Sequence, residues 1–311
     1  MPIIQSVFPA WGSIPRIVRD GAHTGTVSVD PPTVIAHQRG YNDVMQQYVV
    51  DAFTDRVFRG NPAAVCLPPS WPSDELMADI AMENRLSETA FIVREPEGYH
   101  LRWFTPGGEI DLCGHATLAS AYVVLHFVEP KADEVHFHTM SGELSVVRRR
   151  DESGREIFVM DFPAYDLTSV PVTDAMEQAL GARPVEAWLG RDLLCVMDGE
   201  RTVRGLTPDM TLMAKLDGLL VNVTAAGEAG TGFDCVSRSF APKLGIVEDP
   251  VCGSGHCHIL PYWSRRFGKS NLVACQASER GGIIHASVGD GRVSLGGEAA
   301  LFSMGEILPN H

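Results

Sequence analysis

"LCGHATLASAYV" (112–123) and "VCGSGHCHILPY" (251–262) decide how the chain is read, because each enters a helix-like run through Cys-Gly. Aligned on Cys113 and Cys252 the two stretches lie 139 residues apart, the size of a whole domain. The surroundings echo as well, each half being mostly strand with one apolar helix. In 113–128, Leu118, Ala121, Tyr122 and Leu125 repeat at helical spacing while the remaining faces are also apolar. Such a helix is surrounded by protein. On sequence alone the echo fits a duplication and also fits chance.

The Cys-Gly junctions share a physical logic. Glycine permits a sharp turn and close approach to a ligand. The first helical turn then offers unpaired N–H donors and the positive end of the helix dipole. Two such ends facing each other would hold a carboxylate or stabilise an enolate-like charge, with a cysteine on each side. A thiol there is expected to have a lowered pKa. The plainer reading makes both cysteines small buried residues. Both stay open.

"NRLSETAF" (84–91) puts Glu88 where a helix gives way to an apolar strand. An apolar setting raises a carboxyl pKa and makes a general acid/base; an exposed glutamate at a strand start is the simpler expectation. "EDPVCGSGHCH" (248–258) also invites a metal, since Cys252 and His256 are four apart on one helix face. No second cluster with zinc-ligand spacing completes a shell, so no metal is expected. Ser254 lacks the G-x-S-x-G elbow of a hydrolase. Neither a Gly-x-Gly-x-x-Gly after a strand nor a Walker loop is present, so no nucleotide cofactor is expected. His256, Cys257 and His258 read as helix packing, and Pro261 should kink or stop its helix.

The 311 residues are 45% hydrophobic and 21% charged, ordinary for a globular chain, with no apolar run long enough for a bilayer span. A net charge of −14 argues against nucleic acid. Seven cysteines without staple-like spacing suggest a reduced, cytoplasmic setting. "NVT" (222–224) matches a glycosylation sequon but sits in a strand-like run. "RGG" (280–282) reads as turn chemistry. Residues 1–46 mix Pro, Gly, Ser and Thr without period and read as an N-terminal extension, an arm or sequence upstream of a start at Met45. The boundaries drawn are 1–46, 47–163 and 164–311, the last strands free to return to the first domain.

Five blocks, "VDAFTDRVFRGNPAAV", "NRLSETAF", "LRWFTPGGEIDLCGHATLA", "EDPVCGSGHC" and "QASERGG…GRVSLGG", occur in order and at spacings that resemble the PhzF-like phenazine-biosynthesis isomerases. The resemblance runs from about residue 47 to the C-terminus. It implies an α+β fold of the diaminopimelate epimerase type: two pseudo-symmetric domains, each a curved, mostly antiparallel sheet around a central helix. It implies a homodimer, no cofactor or metal, and a small carboxylate substrate, as for the member that isomerises trans-2,3-dihydro-3-hydroxyanthranilate. By the same resemblance Glu88 shuttles the proton, His115, Asp249 and Ser254 orient the substrate, and N–H groups around Gly114 and Gly253 hold its carboxylate. The chain departs from the usual "DPVTGSAH" at Cys252, which replaces threonine, and at Gly255, which replaces alanine. Epimerases of the wider fold use a cysteine at each helix start. Cys113 and Cys252 therefore keep a two-thiol racemase or epimerase open, beside a non-catalytic binding protein of the same fold.

Overall fold

In a computed structural model, residues 44–308 apart from 97 and 152 are described. The expected N-terminal extension lies outside them up to residue 43. The first half runs β1 (Met45–Ala52), β2 (Asn61–Leu67), α1 (Asp74–Asn84), β3 (Glu88–Glu95), β4 (Gly98–Thr105), β5 (Gly108–Ile110), α2 (Gly114–Val123), β6 (Glu134–Thr139), β7 (Gly142–Arg150) and β8 (Glu156–Pro163). The second runs β9 (Thr168–Val170), α3 (Asp174–Leu180), β10 (Glu186–Leu189), β11 (Leu193–Val196), α4 (Glu200–Gly205), α5 (Met210–Met213), β12 (Val221–Ala226), β13 (Cys235–Ala241), β14 (Ile246–Asp249), α6 (Gly253–Phe267), β15 (Asn271–Gln276), β16 (Gly282–Gly289) and β17 (Arg292–Gly297). A last strand, β18 (Ala299–Ile307), pairs with β1.

The 139-residue echo is a duplication of topology. From β18 the first half pairs antiparallel to β1 and β2, parallel to β3, antiparallel to β4, parallel to β6, then antiparallel to β7 and β8. From β9 the second half repeats that series through β10, β11, β12, β13, β15, β16 and β17. The short strands β5 and β14 hang antiparallel on β4 and β13, each just before the Cys-Gly helix. Antiparallel β8–β17 pairing joins the two series. The chain is thus an α+β fold of two pseudo-symmetric halves.

Strand alternation fixes what faces each helix. In β3, Ala90 and Ile92 enter the cluster around α2, whereas Phe91 joins Met77, Ile80 and Ala81 under α1. Glu88 shares the parity of Ala90 and Ile92, so its side chain points to α2. That helix packs against β1, β2, β3, β7, β8 and β18, strands from both ends of the half, so the sheet curls around it. Helix α6 lies likewise against β12, β15, β16 and β17. One buried cluster joins both helices' apolar faces, while the second half's outer face is covered by α3, α4 and α5 over its own core.

Pro261 neither stops nor ends its helix: α6 continues to Phe267. Proline removes the bond that Cys257 O would accept, and Tyr165 N–H takes that place at 3.1 Å. Asn222 of the sequon is fully buried in β12. All seven cysteines are free and buried. Among the described residues no helix is long and apolar enough to cross a membrane.

Candidate active site

The two Cys-Gly helix starts abut. A Cβ on Gly114 would lie 3.8 Å from Gly253 Cα, and one on Gly253 would lie 3.8 Å from Gly114 Cα. Around this junction the structure gathers Glu88, Cys113 and His115 from the first half with Asp249, Cys252 and Ser254 from the second. Glu88 (7% exposed), His115 (6%), Cys113 (7%) and Cys252 (3%) are shut away from solvent, while Asp249 and Ser254 are half-buried. The exposed glutamate that the residues alone favoured is therefore wrong. Strand parity turns Glu88 inward.

His115 Nε2 stands 3.0 Å from Glu88 Oε2, and His115 Nδ1 3.5 Å from Cys113 Sγ. Imidazole and carboxylate are thus charge partners, and neither of the two facing atoms has another hydrogen-bond partner. Burial alone would push the imidazole pKa down, but the Cys113 sulfur and the Glu88 carboxylate beside it outweigh this and hold His115 well above its ordinary value. Across the junction Asn61 Nδ2 donates to Asp249 Oδ1 at 2.8 Å and to Val251 O at 3.1 Å. Gln276 receives Cys252 N–H at 2.8 Å and donates to Asp249 O at 2.5 Å. These contacts pin the turn that opens α6, whose start is capped by Cys252 Sγ, accepting from Gly255 N–H at 3.3 Å. Ser254 Oγ lies 3.5 Å from that sulfur.

The expectation of acidified thiols is overturned at both helix starts. Burial, then the Glu88 charge, pushes Cys113 up; burial, then the Asp249 charge, pushes Cys252 well up. Desolvation and nearby carboxylates exceed what a helix end supplies. Glu88, Cys113 and His115 present ligand atoms within 4.8 Å of one another. A divalent cation could use that set geometrically, yet the raised thiol opposes the thiolate a soft cation requires, and the same atoms form a proton-transfer set. The tract once suggestive of metal does something else: His256 Nδ1 lies 2.7 Å from Cys252 O and its Nε2 3.2 Å from Ser237 Oγ, and burial lowers its pKa to about 4.

Asp249 carries a pH signature. Burial raises its carboxyl, against the opposing His115 charge. The native chain then holds this proton more tightly than the unfolded chain, so stability falls as pH rises from about 4 through the folded-state value. Asp249→Asn is expected to be more stable than wild type at pH 7 and to match it near pH 3. Urea denaturation at both pH values checks this; no gain at pH 7 would contradict the burial penalty.

Sequence reasoning missed residues that join the halves and residues that brace the turn before α6. Arg280 of the "RGG" turn donates to Asp51 Oδ1 at 2.7 Å and to Gly60 O at 2.8 Å, and Ser278 Oγ donates to Pro250 O at 2.7 Å. With Asn61 and Gln276 they lie in the quoted blocks "VDAFTDRVFRGNPAAV" and "QASERGG", so the available signal was block membership rather than residue type.

The family model described as phenazine biosynthesis-like protein, PhzC-PhzF, matches residues 50–305. The chain belongs to this family. Its PhzF-family relatives include a Pseudomonas aeruginosa protein named an uncharacterized isomerase, 45% identical over 264 residues and covering 85% of this chain and 98% of the relative. A human phenazine biosynthesis-like domain-containing protein is 37% identical over 289 residues, covering 84% and 98%. A crystal structure of a PhzF-family protein from Enterococcus faecalis superposes with TM-score 0.81 at 46% identity, over 86% of this chain and 100% of that one. The fold alone extends to a hydroxyproline epimerase from Agrobacterium vitis, TM-score 0.57 at 12% identity, covering 86% and 93%.

Proposed function

We propose that this PhzF-family chain is a cofactor-independent isomerase that moves a proton on a small carboxylate substrate, in the manner of trans-2,3-dihydro-3-hydroxyanthranilate isomerase, with Glu88 as its single acid/base. Relatives named isomerases support the reaction class. The observation that carries the reading is the inequality of the two pseudo-equivalent mouths. Ile110 and Asp249 each stand three residues before a helix-start cysteine; Ile110 pairs with Trp103 and that with Ala90, while Asp249 pairs with Ser239 and that with Asn222. Asn222 is therefore the counterpart of Ala90, and Leu220 that of Glu88. Leu220 packs in an apolar cluster with Cys252, whereas Glu88 faces His115 Nε2 at 3.0 Å. Of these two counterparts only Glu88 can take and return a proton.

In this reading the Glu88 carboxylate removes a proton from the substrate carbon that activates it. The electron pair moves into the conjugated system, and the protonated Glu88 returns the proton at another carbon. His115, Asp249 and Ser254 orient and polarise the substrate, and the first N–H groups of α2 and α6, at Gly114 and Gly253, receive its carboxylate.

A two-thiol racemase or epimerase is the second reading, favoured by cysteines at both abutting helix starts and opposed by their raised pKa values. Deuterium uptake from D₂O into a panel of cyclic and amino-acid carboxylates separates the two. Cys252→Ser is expected to keep uptake within about threefold of wild type, since a transition-state acid/base would be worth about 10²–10⁴. Uptake abolished by Cys252→Ser with Glu88 intact would establish the thiol pair instead. No uptake from a broad panel would leave a binding protein of this fold.

A further inference from the structure

The geometry points to Asn61 as the positioning residue that sets the Asp249 carboxylate from the opposite half of the molecule, an inference that rests on the isomerase reading for its catalytic consequence. Asn61 opens β2 and is fully buried. Both neighbours of its amide nitrogen, Asp249 Oδ1 and Val251 O, are acceptors, so only one amide orientation is chemically sensible. That orientation leaves Asn61 Oδ1 buried with no partner. An amide that served only to fill and stabilise would satisfy both ends, because an orphaned buried acceptor is costly. This one leaves its acceptor bare and places both N–H bonds on the turn carrying Asp249.

The second half supplies the contrast. By the registers that match Val65 to Leu194, Asn61 corresponds to Gly190, which carries no side chain, and the buried polar group of that segment is Asp192. Asp192 is served within its own half by Arg191 at 3.0 Å, by Leu220 N–H at 3.4 Å and by Asn222 Nδ2 at 3.3 Å. One half closes its network on itself, and the other reaches across to Asp249. The Asp51–Arg280 contact and Gly60 N–H donating to Gly281 O at 2.8 Å hold the loop before Asn61 against the second half, so the reach is braced.

Glu88 of β3, His115 of α2 and the neighbouring Cys252 also act on Asp249, and a titration must be read with these present. In the full chain, ¹³C carboxyl NMR of Asp249, assigned by its loss in Asp249→Asn, gives the midpoint. Asn61→Ala is expected to raise it by about one unit, the loss of one donor to a charged acceptor. Asn61→Asp, which keeps the shape and replaces the donor with a second carboxyl, is expected to raise it further. In the wild type the Asn61 side-chain NH₂ signals should titrate with the same midpoint as Asp249, a check that needs no variant to fold. A midpoint unmoved in the folded variants, or NH₂ signals flat through the Asp249 titration, would overturn the assignment. With a substrate that exchanges, Asn61→Ala is expected to lower kcat about tenfold with KM within about twofold, that shift expressed as a rate; unchanged kcat would overturn it. A wild type that exchanges no substrate would sink the isomerase reading, while the carboxyl titration still decides whether Asn61 sets Asp249.

Discussion

Glu88→Gln is expected to lower solvent-deuterium uptake by about 10³-fold, within the span that a positioned general acid/base contributes. Glutamine keeps the shape and the buried contacts of β3 but can neither accept the substrate proton nor return it. The effect should fall on kcat, since in the proposed mechanism the helix starts, not Glu88, hold the substrate's carboxylate. The second half cannot compensate: the equivalent position is Leu220, an apolar side chain packed with Cys252. His115 cannot substitute either, because its imidazole is held above its ordinary pKa beside Cys113 and Glu88. A Glu88→Gln protein that exchanges at near wild-type rate, with native circular dichroism, would transfer the acid/base role to another group.

Gly255→Ala is expected to lower the melting temperature by roughly 5–10 °C, or about 2–3 kcal/mol, at the upper end of overpacking costs. An added Cβ there would stand 2.5 Å from Asn222 Oδ1 and 3.0 Å from Ser239 Oγ. Neither side chain can swing aside freely, because each bonds the other and Asn222 also serves Asp192. Combined with Asn222→Ser, the alanine should cost less than the sum of the two single changes, because the same space is then free. Thermal melts of the three variants check both statements, and strict additivity would mean that Asn222 is not the obstacle.

Much of this architecture was legible in local patterns. Cys113 and Cys252 before glycine marked both helix starts, and their spacing matched the duplicated strand series. Glu88 was visible as a carboxylate at a helix–strand junction, but its burial was not, because that depends on the parity it shares with Ala90 and Ile92 across the face of α2. The thiol acidity was misjudged since a helix end is a local signal, whereas the burial and carboxylates that overrule it are tertiary. Pro261 misled for the same reason: the donor that restores its lost bond, Tyr165 N–H, comes from another segment. Asn61 and Arg280 act through hydrogen bonds between the halves, and Gln276 through bonds to the turn before α6, to which no helical or strand period points.

The decisive experiment follows a label through one turnover. A single carboxylate that takes and returns the proton keeps part of a substrate's own deuterium, whereas two thiols on opposite sides remove it to one group and deliver a solvent proton from the other. With trans-2,3-dihydro-3-hydroxyanthranilate deuterated at the carbon that loses its proton, and H₂O as solvent, low-conversion product examined by mass spectrometry is expected to retain a measurable fraction of the label. Product formed rapidly with no retained deuterium, and only while Cys113 and Cys252 are both intact, would contradict the one-carboxylate mechanism.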